Sequence, residues 1–249
     1  PTMPALGGLP RRKFLSKRTF GAGMSKASTF NSREALDAAL SKAICQQLTA
    51  GINQNGSATL VVSGGSTPKG LFKAVSTTAI DWPQVTVLLA DERWVDDAHP
   101  DSNSAMVKSL LLTDHAKEAN WLDLGAGKDD VEAELARVKG ELANLATFDV
   151  VVLGMGEDAH TASLFPCSIE LAEGLTTDEA ALMTRPTTAP HLRLSLSKSR
   201  LINTQMGVIH IVGTSKRAAF DSATQHVDDD IHPISHFAHL EQFALWFAP

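Results

Sequence analysis

The sequence predicts a layered α/β fold with a mostly parallel β-sheet. From residue 32 onward, helical and strand patterns alternate along the 249-residue chain. Three short apolar segments end in polar turns rich in glycine or charge, as the strands of a parallel sheet do. Apolar residues make up 43% of the chain and charged residues 20%, which is typical of a globular domain.

The first half begins with a helix and continues with two strands. Ser32 is a suitable N-cap for a helix that reaches about residue 50. Ala58–Val62 is an apolar strand, after which Thr67 could cap a helix that reaches about residue 79. Val85–Ala90 reads as a second buried strand.

The second half repeats this alternation. The expected elements are helices near Asn103–Leu112 and Asp129–Ala146, strands Phe148–Leu153, Leu192–Leu196 and Gly207–Val212, a helix that Thr214 could cap and that reaches about residue 224, and a final edge strand within Glu241–Phe247. Chain order places four turns at the carboxyl edge of the sheet: 63–68, 91–94, 154–160 and 213–217. Open parallel sheets bind ligands at this edge.

Charge is distributed unevenly. Residues 1–26 hold six of the 22 basic residues and no acidic one, so the other 16 basic and 28 acidic residues give the rest of the chain a formal charge of −12. A body this acidic is a poor binder of nucleic acid. Residues 1–25 lack apolar periodicity, and we interpret them as an extension outside the fold, although Arg11–Leu15 resembles part of a twin-arginine signal. Residues 26–249 would form a single catalytic domain.

Cysteine content and apolar runs bear on location. The two cysteines, Cys45 and Cys167, form no disulfide framework, which favours a reducing, cytoplasmic compartment. No apolar run approaches the ~20 residues that a membrane helix needs. We expect no membrane partner, and a monomer or homodimer.

The turn after the first strand suits a phosphate group. Gly64 and Gly65 allow the backbone to approach a ligand closely, while Ser66 and Thr67 add hydroxyl groups beside a helix N-terminus. The pattern is neither a P-loop nor a dinucleotide fingerprint. An ordinary tight βα turn is the alternative.

The turn at 213–217 follows the same logic. Lys216 and Arg217 stand in the first turn of a helix, where positive charge opposes the helix dipole unless an anion is bound. Arg193, on an earlier strand, is a further possible donor. The alternative is a pair of solvated surface cations.

The turn at 154–160 carries the candidate general base. An imidazole titrates near neutral pH, so His160 could activate water, and Asp158 could orient its ring. Asp91 is a further candidate acid or base, and Arg93 could bind phosphate or an oxyanion. A salt-bridged loop is the alternative for these last two residues.

Three histidines near the C-terminus do not make a convincing metal site. His232, His236 and His239 recur at helical spacing, but no cysteine or partner motif accompanies them. We therefore predict no metal.

Three motifs, in this order and spacing, carry a resemblance to a known family. They are Ser63–Pro68, Asp91–Trp94 with Asp101–Asn103, and the long segment Gly154–Pro166. Together they resemble the bacterial 6-phosphogluconolactonases over about residues 26–249. The resemblance implies a three-layer αβα, Rossmann-like sheet with helices on both faces, and hydrolysis of 6-phospho-D-glucono-1,5-lactone in the oxidative pentose phosphate pathway without a cofactor.

By the same resemblance, His160 activates water with support from Asp158, Gly65 lies in the site, and Arg93, Arg193 and Lys216 bind anionic groups. The family usually has Asp-Gly-His where this chain has Asp158-Ala159-His160. Ala159 would then be strained if that glycine has a positive φ. Two other functions stay open: an amino-sugar-phosphate deaminase or isomerase on the same fold, and a non-catalytic sugar-phosphate sensor.

Overall fold

The computed structural model describes residues 26–249, so the predicted extension, residues 1–25, lies outside the described residues. The strands are β1 (Ala27–Thr29), β2 (Ala58–Val62), β3 (Val85–Leu89), β4 (Asp91–Arg93), β5 (Asn120–Leu122), β6 (Phe148–Leu153), β7 (Ala181–Thr184), β8 (Arg193–Leu196), β9 (Thr204–Val212) and β10 (Phe243–Ala248). The helices are α1 (Arg33–Asn55), α2 (Lys69–Ser76), α3 (Asn103–Leu110), α4 (Val131–Ala143), α5 (Leu171–Thr176), α6 (Lys198–Ile202), α7 (Thr214–Ala223) and α8 (Ser235–Ala238).

Seven strands form one sheet in the order β1-β10-β9-β6-β2-β3-β5. Every neighbouring pair is parallel, which confirms the predicted sheet type. All residues of β2 and of β6 are buried. Because successive side chains of a strand point to opposite faces, this burial means that both faces of the central sheet are covered.

The chain reverses direction across the sheet between β6 and β2. The strands β2, β3 and β5 progress toward one edge, whereas β6, β9 and β10 progress toward the other. The carboxyl ends of the two central strands therefore open onto a crevice that no crossover connection closes. The turns that follow β2 and β6 are the predicted turns 63–68 and 154–160.

Two predicted strand assignments need correction. Arg193–Leu196 does not join the main sheet but pairs antiparallel with β4 and with β7 in a small second sheet. The C-terminal strand is not an edge strand, because β1 pairs with its outer side. Neither outcome was foreseeable from periodicity, since β1 and β4 are only three residues long.

The helices that begin at the crevice differ from most of the others in how their N-termini are capped. Ser32 caps α1 as predicted, and Ser102, Asp130 and Ser197 cap α3, α4 and α6. The N-termini of α2 and α7 receive no side-chain cap. The predicted caps Thr67 and Thr214 are therefore wrong, because α2 begins two residues after the first and α7 begins at the second.

None of the helices within residues 26–249 combines the length and apolarity that a membrane span requires.

Candidate active site

A cleft of about 260 Å³ opens at the carboxyl ends of β2 and β6. All four predicted turns contribute to its walls, together with residues from β8, β9 and α3. The predicted site residues that line it are Gly64, Gly65, Ser66, Thr67, Asp91, Arg93, His160, Arg193 and Lys216. The tertiary structure thus brings together residues from five segments that are far apart in sequence.

The His160 ring is held on two sides. Its Nδ1 lies 2.5 Å from Asp158 Oδ1, and its plane stacks on the Phe165 ring with centroids 3.9 Å apart. When the ring is neutral, Nδ1 carries the proton and donates a hydrogen bond to the carboxylate. Nε2 is then the basic nitrogen of a ring that lines the cleft.

Asp158 stands behind His160 and outside the cleft lining. Burial of its carboxyl group opposes ionisation, but the hydrogen bond and charge of His160 outweigh burial and lower the pKa of Asp158. The carboxylate therefore remains ionised at neutral pH. It can fix the His160 tautomer and stabilise the imidazolium that forms when Nε2 accepts a proton.

The backbone of the histidine turn requires small residues. A Cβ at Gly156 would lie 2.2 Å from two atoms of the His160 ring. Ala159 has φ +63°, so the alanine does occupy the left-handed conformation expected of the usual glycine. This conformation costs about 1–2 kcal/mol for a residue with a Cβ. The Ile234 N–H donates to the Ala159 carbonyl at 3.0 Å and holds the turn in place.

Arg93 and Arg193 are direct cross-strand partners in the small sheet. Arg93 Nη1 donates to the Asp101 carbonyl at 2.7 Å, and Arg193 Nη2 donates to the Pro190 carbonyl at 3.2 Å. The Nε atoms of both arginines are buried without a hydrogen-bond partner. Like charges opposite one another destabilise a strand pair, and the neighbouring carboxylates of Asp91, Glu92 and Asp101 offset part of this repulsion. The two unpaired Nε–H groups give the pair the donors that an anion requires.

Arg193 also links the arginines to the histidine. Its guanidinium lies 5.0 Å from the centroid of the Phe165 ring, on which His160 stacks. Burial lowers the pKa of Arg193, and the negative charge of Asp91 opposes this shift. The buried Asp91 carboxylate accepts a hydrogen bond from Ser163 Oγ at 2.6 Å. Its predicted catalytic role stays a prediction.

Sequence reasoning missed the function of Glu92. The Glu92 carboxylate accepts hydrogen bonds from the backbone N–H groups of Asn103 at 3.0 Å and Ser104 at 2.6 Å, so it caps α3 from eleven residues before the first residue of that helix. Burial raises the pKa of Glu92 despite these hydrogen bonds. No local sequence signal reveals this contact, because the capping motifs that can be read from sequence span only three residues.

The turn 63–68 presents backbone rather than side chains. Gly65 has φ +91°, and a Cβ at Gly64 would lie 1.9 Å from Asn103 Oδ1. Only glycine therefore permits the close approach of this turn to α3. The uncapped N-terminus of α2 follows at once, leaving N–H groups available to an anion.

The two basic residues of the last turn have different environments. Lys216 lines the cleft and makes no ion pair with a carboxylate among residues 26–249. Arg217 does not line the cleft: its Nε donates to Asp221 at 2.8 Å, and its guanidinium lies over the Phe247 ring. The structure thus places the predicted anion-binding residue Arg217 away from the other donors, because consecutive helical residues point in directions about 100° apart.

One group of three residues in the described part of the chain has the composition of a metal site. His99, Asp101 and His191 each offer a ligand atom, all within 4.8 Å of one another. However, His99 Nδ1 accepts the Asp101 N–H at 3.0 Å, which places the proton of the neutral ring on Nε2. His99 Nε2 is then a donor, so the observed geometry does not suit a metal ion.

Comparisons with known proteins agree with the geometry. The family model for glucosamine-6-phosphate isomerases/6-phosphogluconolactonase matches residues 31–246. The 6-phosphogluconolactonase of Rhizobium meliloti is 39% identical over 208 residues, covering 82% of this chain and 90% of that protein. That of Mesorhizobium japonicum is 40% identical over 199 residues, covering 79% of this chain and 84% of the relative.

Solved structures point the same way. A crystal structure of a 6-phosphogluconolactonase from Shewanella baltica OS155 superposes with a TM-score of 0.87 at 39% identity, covering 91% of this chain and 100% of that one. A monomeric glucosamine-6-phosphate deaminase has a TM-score of 0.76 at 16% identity, covering 90% and 97% of the two chains, which shows a shared fold alone. The chain belongs to the family of glucosamine-6-phosphate isomerases and 6-phosphogluconolactonases.

Proposed function

We propose that this chain hydrolyses 6-phospho-D-glucono-1,5-lactone to 6-phospho-D-gluconate, a step of the oxidative pentose phosphate pathway. Family membership supports this reaction class, since the relatives compared above at 39–40% identity are all named 6-phosphogluconolactonase. The observation that carries the proposal is the shared cleft. One cavity is lined by a histidine that an aspartate orients and by three cationic side chains from separate elements.

We divide the lining residues of the cleft into two ends according to their chemistry. At one end, which we term the phosphate end, the turn 63–68, the uncapped N-terminus of α2 and the Lys216 ammonium would hold the phosphate ester. At the other, the carbonyl end, His160 and the paired Arg93 and Arg193 would surround the reacting carbon. A phosphorylated lactone has its anionic group and its carbonyl at opposite ends, and this division matches it.

Hydrolysis begins with general-base catalysis. Neutral His160 removes a proton from water through Nε2 as the water oxygen attacks C1 of the lactone. Asp158, ionised because of its contact with the ring, stabilises the imidazolium that forms. The arginine donors at the carbonyl end stabilise the negative charge that develops on the carbonyl oxygen.

Ring opening completes the reaction. The C1–O5 bond breaks, the electron pair remains on O5, and the imidazolium returns its proton to that oxygen. The products are a hydroxyl group and a carboxylic acid, which loses its proton to solvent. No covalent nucleophile is needed, and two hydroxyl groups near the cleft are engaged elsewhere: Ser63 Oγ donates to the Val152 carbonyl and Ser163 Oγ to Asp91.

A direct assay tests the proposal. The chain is mixed with freshly generated 6-phosphogluconolactone, and acid release is recorded above the spontaneous rate. We expect saturable turnover that inorganic phosphate inhibits competitively. A parallel incubation with glucosamine 6-phosphate, monitored for ammonia, tests the deaminase alternative. Ammonia release without lactone hydrolysis would overturn the assignment, and tight ligand binding without any turnover would favour a sensor.

Cellular location and assembly belong to the same proposal. Both cysteines are free thiols, as expected in a reducing cytoplasm. We propose a cytoplasmic enzyme that acts as a monomer or homodimer on a small phosphosugar lactone, and sedimentation would distinguish the two states.

A further inference from the structure

His210 is a cleft residue to which the proposed reaction assigns no role. It lies in β9, three residues before Gly213, and lines the same cavity as the turn 63–68 and Lys216. The residue is only 2% exposed. It therefore stands at the phosphate end, on the strand that leads directly into the Lys216 turn.

The polar atoms of this histidine are unsatisfied. Neither Nδ1 nor Nε2 has a hydrogen-bond partner, and the buried Oδ1 of Asp37 also has none. The distance between His210 Nε2 and Asp37 Oδ1 is 3.7 Å, too long for a direct hydrogen bond. Native proteins seldom leave such groups without partners, so the missing partners are supplied by ligand or solvent.

Asp37 is held in place by the helix that follows the phosphate turn. Its Oδ2 lies 2.1 Å from the position of a Cβ at Gly70, so the carboxylate rests on the first turn of α2. Any larger residue at position 70 would displace the carboxylate. This packing connects the turn 63–68, through α2 and Asp37, to the His210 ring.

Charged groups face His210 from two helices. Asp37 and Arg33 approach from α1, and Lys216 approaches from α7. Burial, with the positive charges of Arg33 and Lys216, lowers the pKa of His210 to about 4. The ring is therefore neutral at neutral pH, and the nearby Asp37 carboxylate favours the tautomer with its proton on Nε2.

A bound dianion changes this balance. It would offset the charge of Lys216 and leave the Nδ1 lone pair facing negative oxygen atoms, which favours protonation of Nδ1. The proton comes from solvent and forms a new N–H bond. The imidazolium then faces negative oxygen atoms on both sides, those of Asp37 on one side and those of the anion on the other.

We propose that His210 contacts the phosphate of the substrate, that Asp37 positions it, and that binding of a tetrahedral dianion is coupled to proton uptake by this ring. The inference rests on the phosphate end of the proposed function. It adds a binding residue and a pH dependence of affinity to that site.

Calorimetry with sulfate tests the coupling, because sulfate stays dianionic throughout the range from pH 6 to pH 8. Titrations at pH 6 in two buffers of different ionisation enthalpy give the number of protons taken up. We expect the wild type to take up more protons than His210→Leu and to bind sulfate more tightly at pH 6 than at pH 8. His115→Gln, at an exposed position remote from the cleft, is the matched control and should behave as the wild type.

Kinetics separate binding from chemistry. His210→Leu should raise KM by about tenfold, the effect of losing one charge-assisted hydrogen bond, and leave kcat within about threefold. His210→Asn, which restores a donor that does not titrate, should recover part of the KM but not the pH dependence. Asp37→Asn should weaken sulfate binding in the same direction.

Nitrogen NMR on the wild type tests the same coupling in a protein that carries no substitution, so the result does not depend on whether a variant folds. Saturating sulfate should move the His210 ring signals, assigned by their loss in His210→Leu, from the neutral to the imidazolium pattern. Unchanged His210 signals, or equal proton uptake in wild type and His210→Leu, would overturn the inference while lactone turnover by the wild type leaves the proposed function intact. Absence of both turnover and sulfate binding would refute the proposed function instead.

Discussion

Two histidine–aspartate contacts adjoin the same cleft and have opposite electrostatic properties. His160 and Asp158 are 2.5 Å apart and partly exposed, and their contact lowers the pKa of the aspartate. His210 and Asp37 are 3.7 Å apart and buried, and there burial lowers the pKa of the histidine to about 4 and raises that of the aspartate. The same two residue types keep the aspartate ionised in one place and the histidine neutral in the other.

The difference arises from where the backbone places each ring. His160 lies in a turn beyond the end of β6, where a short hydrogen bond from its ring stabilises the negative charge of Asp158. His210 lies within β9, where both neighbouring strands exclude water. Desolvation penalises an ion more than a distant counter-ion compensates, so proximity of opposite charges does not by itself make a catalytic dyad.

Removal of each ring should give the largest contrast. His160→Gln is expected to lower kcat by about 10²–10⁴-fold, because the proposed reaction loses the base that takes the proton from water. His210→Leu should leave kcat within about threefold. Circular dichroism would verify that both variants fold. Equal losses of kcat in the two variants would contradict the assignment of His160 as the base.

Substitution of the two aspartates should give the same kind of contrast in kcat, with a smaller effect. We expect Asp158→Asn to lower kcat by about 10–100-fold, since the amide cannot stabilise the imidazolium or enforce one tautomer. Asp37→Asn should act on KM and spare kcat. Steady-state kinetics at saturating lactone distinguish these outcomes, and a loss of kcat in Asp37→Asn as large as in Asp158→Asn would remove the distinction between the two contacts.

The two contacts should affect the free energy of unfolding in different pH ranges. The unfolded chain protonates His210 near its ordinary pKa of 6.5, whereas the folded chain does so only at about 4. The unfolded state therefore binds more protons between these values, and the free energy of unfolding falls as pH falls through that window. Over the whole window, the free energy of unfolding falls by about 3 kcal/mol.

Urea unfolding at pH 7, 5.5 and 4.5 measures this slope. His210→Leu should reduce the dependence of the free energy of unfolding on pH. The raised pKa of Asp37 contributes a slope of opposite sign. Asp158, whose pKa is lowered, affects stability only below its ordinary value of 3.8. An unchanged slope in His210→Leu would show that the ring is not buried as a neutral group.

The smallest effect is expected next to the catalytic ring. Ala159→Gly removes a left-handed strain of about 1–2 kcal/mol. The glycine also raises the conformational entropy of the unfolded chain, which costs about 0.4–1 kcal/mol, and the loss of one buried methyl group costs about 0.8 kcal/mol. These changes nearly cancel. We expect thermal unfolding and turnover close to those of the parent chain, and a large gain in either would mean that Ala159 distorts the His160 turn.

Periodicity and turn composition predicted much of the frame. Full burial of a strand and the cap at Ser32 depend on residues close in sequence, so β2, β6 and the start of α1 were placed correctly. Glycine-rich turns after these strands also located the cleft, because the carboxyl ends of parallel strands meet at one edge. The His160–Asp158 contact spans two residues and is equally local.

Tertiary structure decided the rest. The sequence cannot show that Arg93 and Arg193 pair across two strands, that Glu92 caps a helix that begins eleven residues later, or that His210 lies near Asp37. Nor does it show that Lys216 faces the cleft while its neighbour pairs with Asp221. Local residue order determined which turns carry the chemistry, whereas strand register, helix rotation and burial determined which charges meet there, because these depend on the packing of segments far apart in the chain.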